Sequence, residues 1–370
     1  MKILFTGGGT GGHIFPIVAI AREIRRIYAK KDLEFHYIGP KDEFGQILLS
    51  QEDFQINTIT TGKIRNYFSF ENLTDILFKI PLSFIQSFFL IAKINTDLVF
   101  GKGGPGAVPV LFWAKIFKIS IFIHESDAVP GRSNQIASKW AKKIFVSFPK
   151  TEYFNLDKVV ISGNQIRKEL LEGDISTAKN LFNLTLEKPV IMFCGGSQGA
   201  EAINDFVLRT LNDLLKDYEI IHITGMQNYK ENLAESGVVI DKNLEKYYHS
   251  VAFLDEEKLK HVYKASNLVI SRAGASAIFE IAALGKPSII VPLPTSAQNH
   301  QAKNAYAYAA EGAAIVVEQD NLVQHFFLEK LQTIFAEQGT LQKMSEEALR
   351  FSKPFAAKTI AREILEFLML

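Results

Sequence analysis

Short runs of β-branched and aromatic residues recur along the chain, separated by longer stretches whose apolar positions return every three or four residues. The first series is KILFT at 2, EFHYI at 34, DLVF at 97, ISIFI at 119, KIFV at 143 and VVI at 159. Apolar runs of this length suit strands buried on both faces, and the amphipathic stretches between them suit crossover helices, so the series predicts a mostly parallel sheet. A second series follows, with PVIMF at 189, YEIIHIT at 218, SVAF at 250, NLVI at 267, SIIV at 288 and AAIVV at 313. Displaced by 188 residues, Ile3 to Gly12 lies over Ile191 to Ala200 without a gap, ILFTGGGTGG on IMFCGGSQGA. Each half therefore opens with a strand, a Gly-rich turn and a helix. The fold class expected is α/β, two Rossmann-like domains facing across a cleft that holds the active site. Gly163 to Gly173 is the expected hinge, dividing 1–163 from 164–349. The last amphipathic stretch, 350–370, has Ile360, Ile364, Phe367 and Leu368 on one face; periodicity does not say which domain receives it.

At 370 residues the chain exceeds what one hydrophobic core usually organises, which agrees with two domains. Hydrophobic residues make up 47% and charged residues 22%, enough for large cores and against disorder. Lys plus Arg total 41 against 40 for Asp plus Glu, a net charge of +1 that lacks the broad field of a nucleic-acid binder. The single cysteine, Cys194, forbids an intrachain disulfide and a Cys-rich metal site. The amino terminus runs straight into glycines after Met1-Lys2-Ile3-Leu4-Phe5, too short an apolar stretch for a signal peptide.

Several turns carry candidate chemistry. Gly7 to Gly12 followed by His13 lets a phosphate, sugar or headgroup approach backbone N–H groups at a helix start. The spacing also satisfies G-x-G-x-x-G, but strand two ends in Ile38-Gly39-Pro40, where a dinucleotide site needs an acid for the ribose. His13 is an exposed loop imidazole on the plain reading; at a helix N-terminus it would stay neutral and able to accept a proton. Gly195-Gly196-Ser197-Gln198-Gly199 formally matches the hydrolase nucleophile elbow, yet the equivalent turn of the first half has Gly9 in place of serine, so a tight phosphate-binding turn is the shared need. His124-Glu125-Ser126-Asp127 follows a buried strand and could orient a substrate; H-E-x-x-H is absent because residue 128 is Ala, and no D-x-D pair is present, so no catalytic metal or cofactor is expected. Arg272-Ala273-Gly274-Ala275-Ser276-Ala277 opens a helix carrying Glu280, a carboxylate for a ribose diol or a solvated helix residue. Gln298, Asn299, His300, Gln301 and Asn304 supply amides for sugar hydroxyls, or ordinary loop polarity.

The most lipid-like window, Ile80 to Ala92, is uncharged for 13 residues between Lys79 and Lys93, shorter than the roughly 20 a spanning helix needs. Leu73, Leu77, Ile80, Phe84, Phe88 and Ile91 fall near one helical face. Core packing explains such a face by default. Lys63, Arg65, Lys79 and Lys93 around it, with lysines 115, 118, 139, 142 and 143, point instead to docking on an anionic membrane surface through the first domain.

Taken together and in order, GGGTGGHIFP at 7, GKGGPGAVP at 101, HESDAVPGRSN at 124, GNQIR at 163, GGSQGA at 195, HITG at 222, SRAGASAIFEIAALGKPSIIVPLP at 271 and NHQAKNA at 299 resemble the MurG family. These are bacterial N-acetylglucosaminyltransferases that convert lipid I to lipid II in peptidoglycan synthesis, and so serve cell-wall biogenesis, cell shape and division. The resemblance implies a GT-B fold, UDP-GlcNAc held mainly by the C-terminal domain, the lipid acceptor by the N-terminal one, and a last helix that crosses back to the first domain. It implies peripheral attachment to the cytoplasmic face of the cell membrane and an inverting transfer without metal. By position, Thr10, Gly11 and Gly12 would face the sugar and His13 would be the base, with Glu125 or Asp127 as rivals. Arg167 and Ser197 would contact nucleotide and phosphate, Leu254 uracil through its backbone, and Glu280 the ribose. Gly274, Ala275, Ser276 and Ala277 would cradle phosphate and sugar, with Gln301 and Asn304 reading sugar hydroxyls. Departures are Asp127 where many members have Asn, Pro105-Gly106-Ala107 where an aromatic, Val and Ser are usual, and Gln165 for a frequent Pro. A related GT-B enzyme with another UDP-sugar or glycolipid acceptor, and a serine hydrolase built on Ser197, are the alternatives.

Overall fold

The computed structural model describes residues 1–8, 11–29, 32–62, 73–150, 152–196 and 199–369, apart from the side chains of residues 11 and 44. The chain forms two compact units: Met1–Gln165 with Lys353–Leu370, and Ile166–Ser352. The divisions thus fall at 165/166 and 352/353, against 163/164 and 349/350 drawn from the sequence.

In the first unit the strands are β1 (Lys2–Thr6), β2 (Glu34–Gly39), β3 (Gln55–Thr58), β4 (Leu98–Gly101), β5 (Ser120–Glu125), β6 (Lys143–Val146) and β7 (Val159–Ile161). They pair in parallel in the order β3-β2-β1-β4-β5-β6-β7. The second unit has β8 (Val190–Cys194), β9 (Glu219–Ile223), β10 (Tyr248–Val251), β11 (Leu268–Ser271), β12 (Ser288–Ile290) and β13 (Ala314–Val316), parallel in the order β10-β9-β8-β11-β12-β13. In both sheets the order reverses at the opening strand, β1 between β2 and β4 and β8 between β9 and β11. Open α/β sheets bind ligands at the carboxyl ends of strands beside such a reversal.

Buried Ile, Val, Leu and Phe line both faces of each sheet. On one face of the first sheet, Ile14, Ile17 and Ile24 of the helix Gly11–Ile27 meet Ile360, Ile364 and Leu365 of the final helix Ala356–Met369. Burying each such side chain stabilises by roughly 1.5–3 kcal/mol. Lys143 pairs with Glu363, and the Lys142 ammonium lies 4.2 Å from the Phe367 ring centroid. The final helix therefore belongs to the first unit, which periodicity alone left open. The opposite face is filled by Val110, Leu111, Ile91 and Ile144, among others.

Three elements differ from the sequence reading. β3 (QINT) went unread because it is polar and partly exposed, as an edge strand tolerates. β10 starts at Tyr248 rather than Ser250, and Phe253 stands half exposed beyond it. The apolar segment at 80 is longer than its uncharged window: a π turn over Asp75–Lys79 runs into the helix Ile80–Ile94, giving 20 residues, enough by length and composition to cross a membrane. Its packing answers which face is inside. Asp75, Ser83, Ser87, Ile91 and Ile94 are buried, whereas Ile76, Leu77, Phe78, Leu82, Ile85 and Phe89 are exposed. Of the face expected from periodicity only Ile91 is fully buried; Ile80, Phe84 and Phe88 are half covered and Leu73 and Leu77 are exposed. Lys63, Arg65 and Phe68 lie outside the described residues.

Candidate functional site

In the first unit Thr6 and Gly101 are register partners, so the turns after β1 and β4 leave the sheet side by side. Gly8 has φ +124°, and Gly103 and Gly104 have φ +89° and +87°, which disfavour any side chain. Space forbids one too: a Cβ on Gly104 would stand 2.7 Å from the Gly8 carbonyl oxygen. From β2, the Tyr37 hydroxyl donates to the Gly7 carbonyl at 2.5 Å. The helix Gly11–Ile27 starts here, with Gly12 exposed and His13 half-buried. Thr10 lies outside the described residues. Burial, and then the Lys102 ammonium, bring the His13 pKa down to about 4 against the pull of Asp127, so the imidazole is neutral at physiological pH.

The loop after β5 is closed by one carboxylate. Glu125 accepts from the Asp127 N–H at 3.0 Å, the Gly131 N–H at 3.1 Å and the Asn134 side-chain amide at 2.8 Å. Burial, and then Asp127, raise its pKa. Asn134 also donates to the His124 carbonyl at 3.0 Å. Buried His124 places Nε2 3.1 Å from the Gly163 carbonyl and is held neutral by desolvation. Asp127 itself is half-buried. Lys102, between the glycines after β4, was missed as a site residue. Its side chain is buried, its Nζ donates to the Ser126 hydroxyl, and desolvation brings its pKa down to about 8 while Glu125 and Asp127 oppose.

In the second unit Cys194 and Ser271 are register partners, which sets the turns after β8 and β11 next to one another. Gly196 and Gly199 have φ +90° and +81°, and the Gly199 N–H donates to the Gly196 carbonyl at 3.0 Å. A Cβ on Gly199 would lie 2.2 Å from the Thr224 carbonyl oxygen. Ser197 lies outside the described residues. Beneath this turn, Asn204 donates to the Thr224 carbonyl at 3.0 Å and its Oδ1 is 3.0 Å from Nε2 of His222, whose Nδ1 is 2.9 Å from the Tyr248 hydroxyl. Burial brings the His222 pKa down to about 3. It also raises that of the Cys194 thiol, which keeps it protonated.

The turn after β11 is clamped from behind. The Gln301 side-chain Oε1 accepts from the N–H groups of Ala273 at 3.3 Å and Leu293 at 3.0 Å, and Asn304, fully buried, donates through Nδ2 to the Ala273 carbonyl at 3.1 Å. Both amides were read from sequence as sugar contacts, and the bonds described here go to backbone. Arg272, also missed, holds the Val291 and Pro292 carbonyls at 3.3 Å and the Gln319 side chain at 2.7 Å. The helix Ala275–Ala283 begins at this turn with Gly274 as its N-cap; Ser276 is exposed and Ala277 partly so. Two turns on, Glu280 is 7% exposed and grips Arg167 through a two-point bond, Nε to Oε1 at 2.7 Å and Nη2 to Oε2 at 2.8 Å. Glu256 lies 3.9 Å from Arg167 Nη1, and the Arg167 pKa is raised by Glu280 against desolvation. Leu254 is buried just before the helix Glu256–Ala265.

The first unit thus brings together Gly12, His13, Glu125 and Asp127, and the second Arg167, Gly274 to Ala277, Glu280, Gln301 and Asn304. His249 meets Glu219 at 2.8 Å and His261 accepts from the Asp174 N–H at 3.0 Å.

The glycosyltransferase family 28 N-terminal domain matches residues 3–146 and the family 28 C-terminal domain residues 190–361. A curated Clostridium tetani protein named UDP-N-acetylglucosamine--N-acetylmuramyl-(pentapeptide) pyrophosphoryl-undecaprenol N-acetylglucosamine transferase is 36% identical over 338 residues, 90% of each chain. One of the same name from Clostridium kluyveri is 34% identical over 352 residues, 94% of this chain and 96% of the relative. The crystal structure of Acinetobacter baumannii MurG superposes with a TM-score of 0.76 at 25% identity, covering 99% of both chains. Neisseria meningitidis UDP-GlcNAc 2-epimerase bound to UDP-GlcNAc, at TM-score 0.70 and 14% identity over 99% of this chain and 100% of that one, shares the fold. Two parallel-sheet α/β units of GT-B type, both family 28 domains and relatives matched over nine-tenths of their length agree: the chain belongs to the MurG family of glycosyltransferases.

Proposed function

We infer that the protein is an inverting hexosyltransferase that moves N-acetylglucosamine from UDP-GlcNAc to the C4 hydroxyl of the muramoyl sugar in lipid I, forming the β-1,4 bond of lipid II. One observation carries the donor half. Gly274 has φ −66° and ψ 136°, open to any residue, and among the described residues nothing lies within 4 Å of where its Cβ would stand. Neither backbone conformation nor internal packing accounts for glycine there, whereas close approach of a ligand does. The helix start at Ala275 offers N–H groups and a positive dipole end to a diphosphate, and Gly196, with no described residue near its missing Cβ, lies in the turn after the neighbouring strand. Ser197 is assigned to the same diphosphate, Glu280 to the ribose diol in exchange for part of its hold on Arg167, Arg167 to the nucleotide phosphates, and the Leu254 backbone to uracil. Gln301 keeps its nitrogen for a sugar hydroxyl, and Asn304 acts through the turn it holds.

On the acceptor side, Thr10, Gly11 and Gly12 border the sugar, and His13 takes the proton of the C4 hydroxyl as its oxygen bonds to the anomeric carbon. The bond from that carbon to the β-phosphate oxygen breaks with its electron pair, and UDP leaves against the glycine corner and Ser197. Asp127 steadies the imidazolium so formed; Glu125 shapes the loop that carries Asp127. The outward apolar face of Asp75–Ile94, with Phe78 at 70% and Phe89 at 65% exposed and with Lys93, Lys115 and Lys118 nearby in sequence, suits a peripheral seat on the anionic cytoplasmic leaflet, where lipid I resides. Incubation with labelled UDP-GlcNAc and a lipid I analogue, followed by product identification, tests the assignment. The expected product is the GlcNAc–MurNAc disaccharide lipid. Transfer only from another UDP-sugar, or only to another glycolipid, would replace it.

A further inference from the structure

The acceptor-side corner contains a group that the chemistry above does not use. Lys102 is 3% exposed, its backbone N–H donates to the Thr6 carbonyl at 2.8 Å, and its side chain passes so close to β1 that a Cβ on Gly7 would stand 3.0 Å from its own Cβ. It ends on the hydroxyl of Ser126, the residue between Glu125 and Asp127. A buried ammonium is costly to desolvate, and methionine would fill the same length without that cost. The titratable groups that face it are His13 from the helix Gly11–Ile27, His124 and Glu125 from β5, and Asp127 from the loop beyond. The turns after β1 and β5 meet at this one side chain from the turn after β4, and both carry residues of the proposed acceptor chemistry.

We propose that Lys102 is a positioning residue for the transfer step: its side chain, packed under the glycine turn after β1 and anchored on Ser126, seats the Glu125–Gly131 loop and so aligns Asp127. The role rests on the acceptor-side reading given above. It accounts for a lysine at a buried position, for a serine between two carboxylates, and for the opposed influences of Lys102 and Asp127 on His13. With its pKa brought down to about 8, Lys102 would also lose its charge in the mildly alkaline range, which gives the role a signature.

The test uses the full-length protein and the variants Lys102→Met and Ser126→Ala. In Lys102→Met, kcat/KM for the lipid I analogue is expected to fall about tenfold or more at neutral pH, part of the 10²–10⁴ that a general base supplies. UDP affinity by calorimetry and the melting temperature should hold. The wild-type decline in kcat/KM above about pH 8 should vanish in Lys102→Met and persist in Ser126→Ala, which keeps the charge but cuts its anchor. Independently of any turnover, the His13 ring proton, assigned by comparison with His13→Gln, should titrate at higher pH in Lys102→Met than in wild type. An unmoved His13 midpoint, or a loss of activity that follows a lowered melting temperature with the alkaline limb unchanged, would overturn the proposal. Absence of transfer in wild type with a shifted His13 midpoint would count against the functional reading and leave the Lys102 coupling standing.

Discussion

His13 is the residue on which the proposed proton transfer turns. Its pKa of about 4 means that the free enzyme already holds it neutral well below pH 6.5, so the acid limb of kcat/KM is expected near pH 4 rather than near the ordinary histidine value. His13→Ala should lower kcat by on the order of 10²–10⁴ and spare UDP-GlcNAc affinity; unchanged turnover would remove it from the mechanism. Glu280→Ala acts on the other unit. It should weaken UDP binding by roughly tenfold, about 1.4 kcal/mol, and lower the melting temperature because Arg167 loses a two-point partner in a half-buried site. Calorimetry reads the first effect and thermal unfolding the second; full affinity in the variant would exclude the ribose role. Both residues were legible in the sequence because a strand, a glycine turn and a helix fix where they must stand. Lys102 was not, since a lysine flanked by glycines reads as solvated loop, and only the three-dimensional meeting of the β1, β4 and β5 turns buries it. The bracing by Gln301 and Asn304 was equally hidden, because an amide in a loop looks the same whether it faces solvent or backbone.

The helix Asp75–Ile94 shows where periodicity stops being informative. A repeat of three and four says which residues share a face, not which face is covered. Here Ser83 and Ser87 point inward, and the Ser83 hydroxyl bonds the Ile80 carbonyl at 2.6 Å. Inside, small side chains let the helix approach the adjoining Ala107–Ile116 helix, where Trp113 Nε1 donates to the Phe84 carbonyl at 2.7 Å and its ring lies 4.9 Å from that of Phe88. Only 22% of its most apolar window is covered by the protein. Replacing Phe78 and Phe89 together by Asp should therefore leave the melting temperature within a degree or two, as surface changes do. It should reduce sedimentation with phosphatidylglycerol vesicles by about tenfold or more, since two aromatic insertions are exchanged for repelled charges. Undiminished vesicle binding would exclude this face as the contact. The parallel strands themselves were readable because they are buried on both sides; β3 escaped because an edge strand need not be apolar.

Across the whole molecule, the buried imidazoles set the response to acid. His13, His36 and His124 in the first unit and His222 in the second have pKa values lowered chiefly by desolvation, while unfolded chain binds protons near pH 6.5. Unfolding below that value takes up protons, so the stability these groups confer is complete above about pH 6.5 and falls as pH drops toward 4. Three such groups cost the first unit up to about 4 kcal/mol per pH unit and one costs the second about a third of that, with the raised pKa of Glu125 partly offsetting the first. Urea unfolding at pH 7 and pH 5 should show a lower midpoint in acid, with the first unit yielding earlier; equal midpoints would mean that the rings are hydrated. That two units exist was legible from the doubled strand rhythm, whereas the docking of the last helix was legible only through the family resemblance, because an amphipathic stripe carries no address. This docking has a consequence for biosynthesis. The apolar layer over β1, which carries the helix with His13, lacks Ile360, Ile364 and Leu365 until codons 360 to 365 are translated. A ribosome making this chain therefore extrudes the whole second unit while the first still waits for its closing piece, and messages cut short before codon 356 would yield a finished second unit beside an unsealed first.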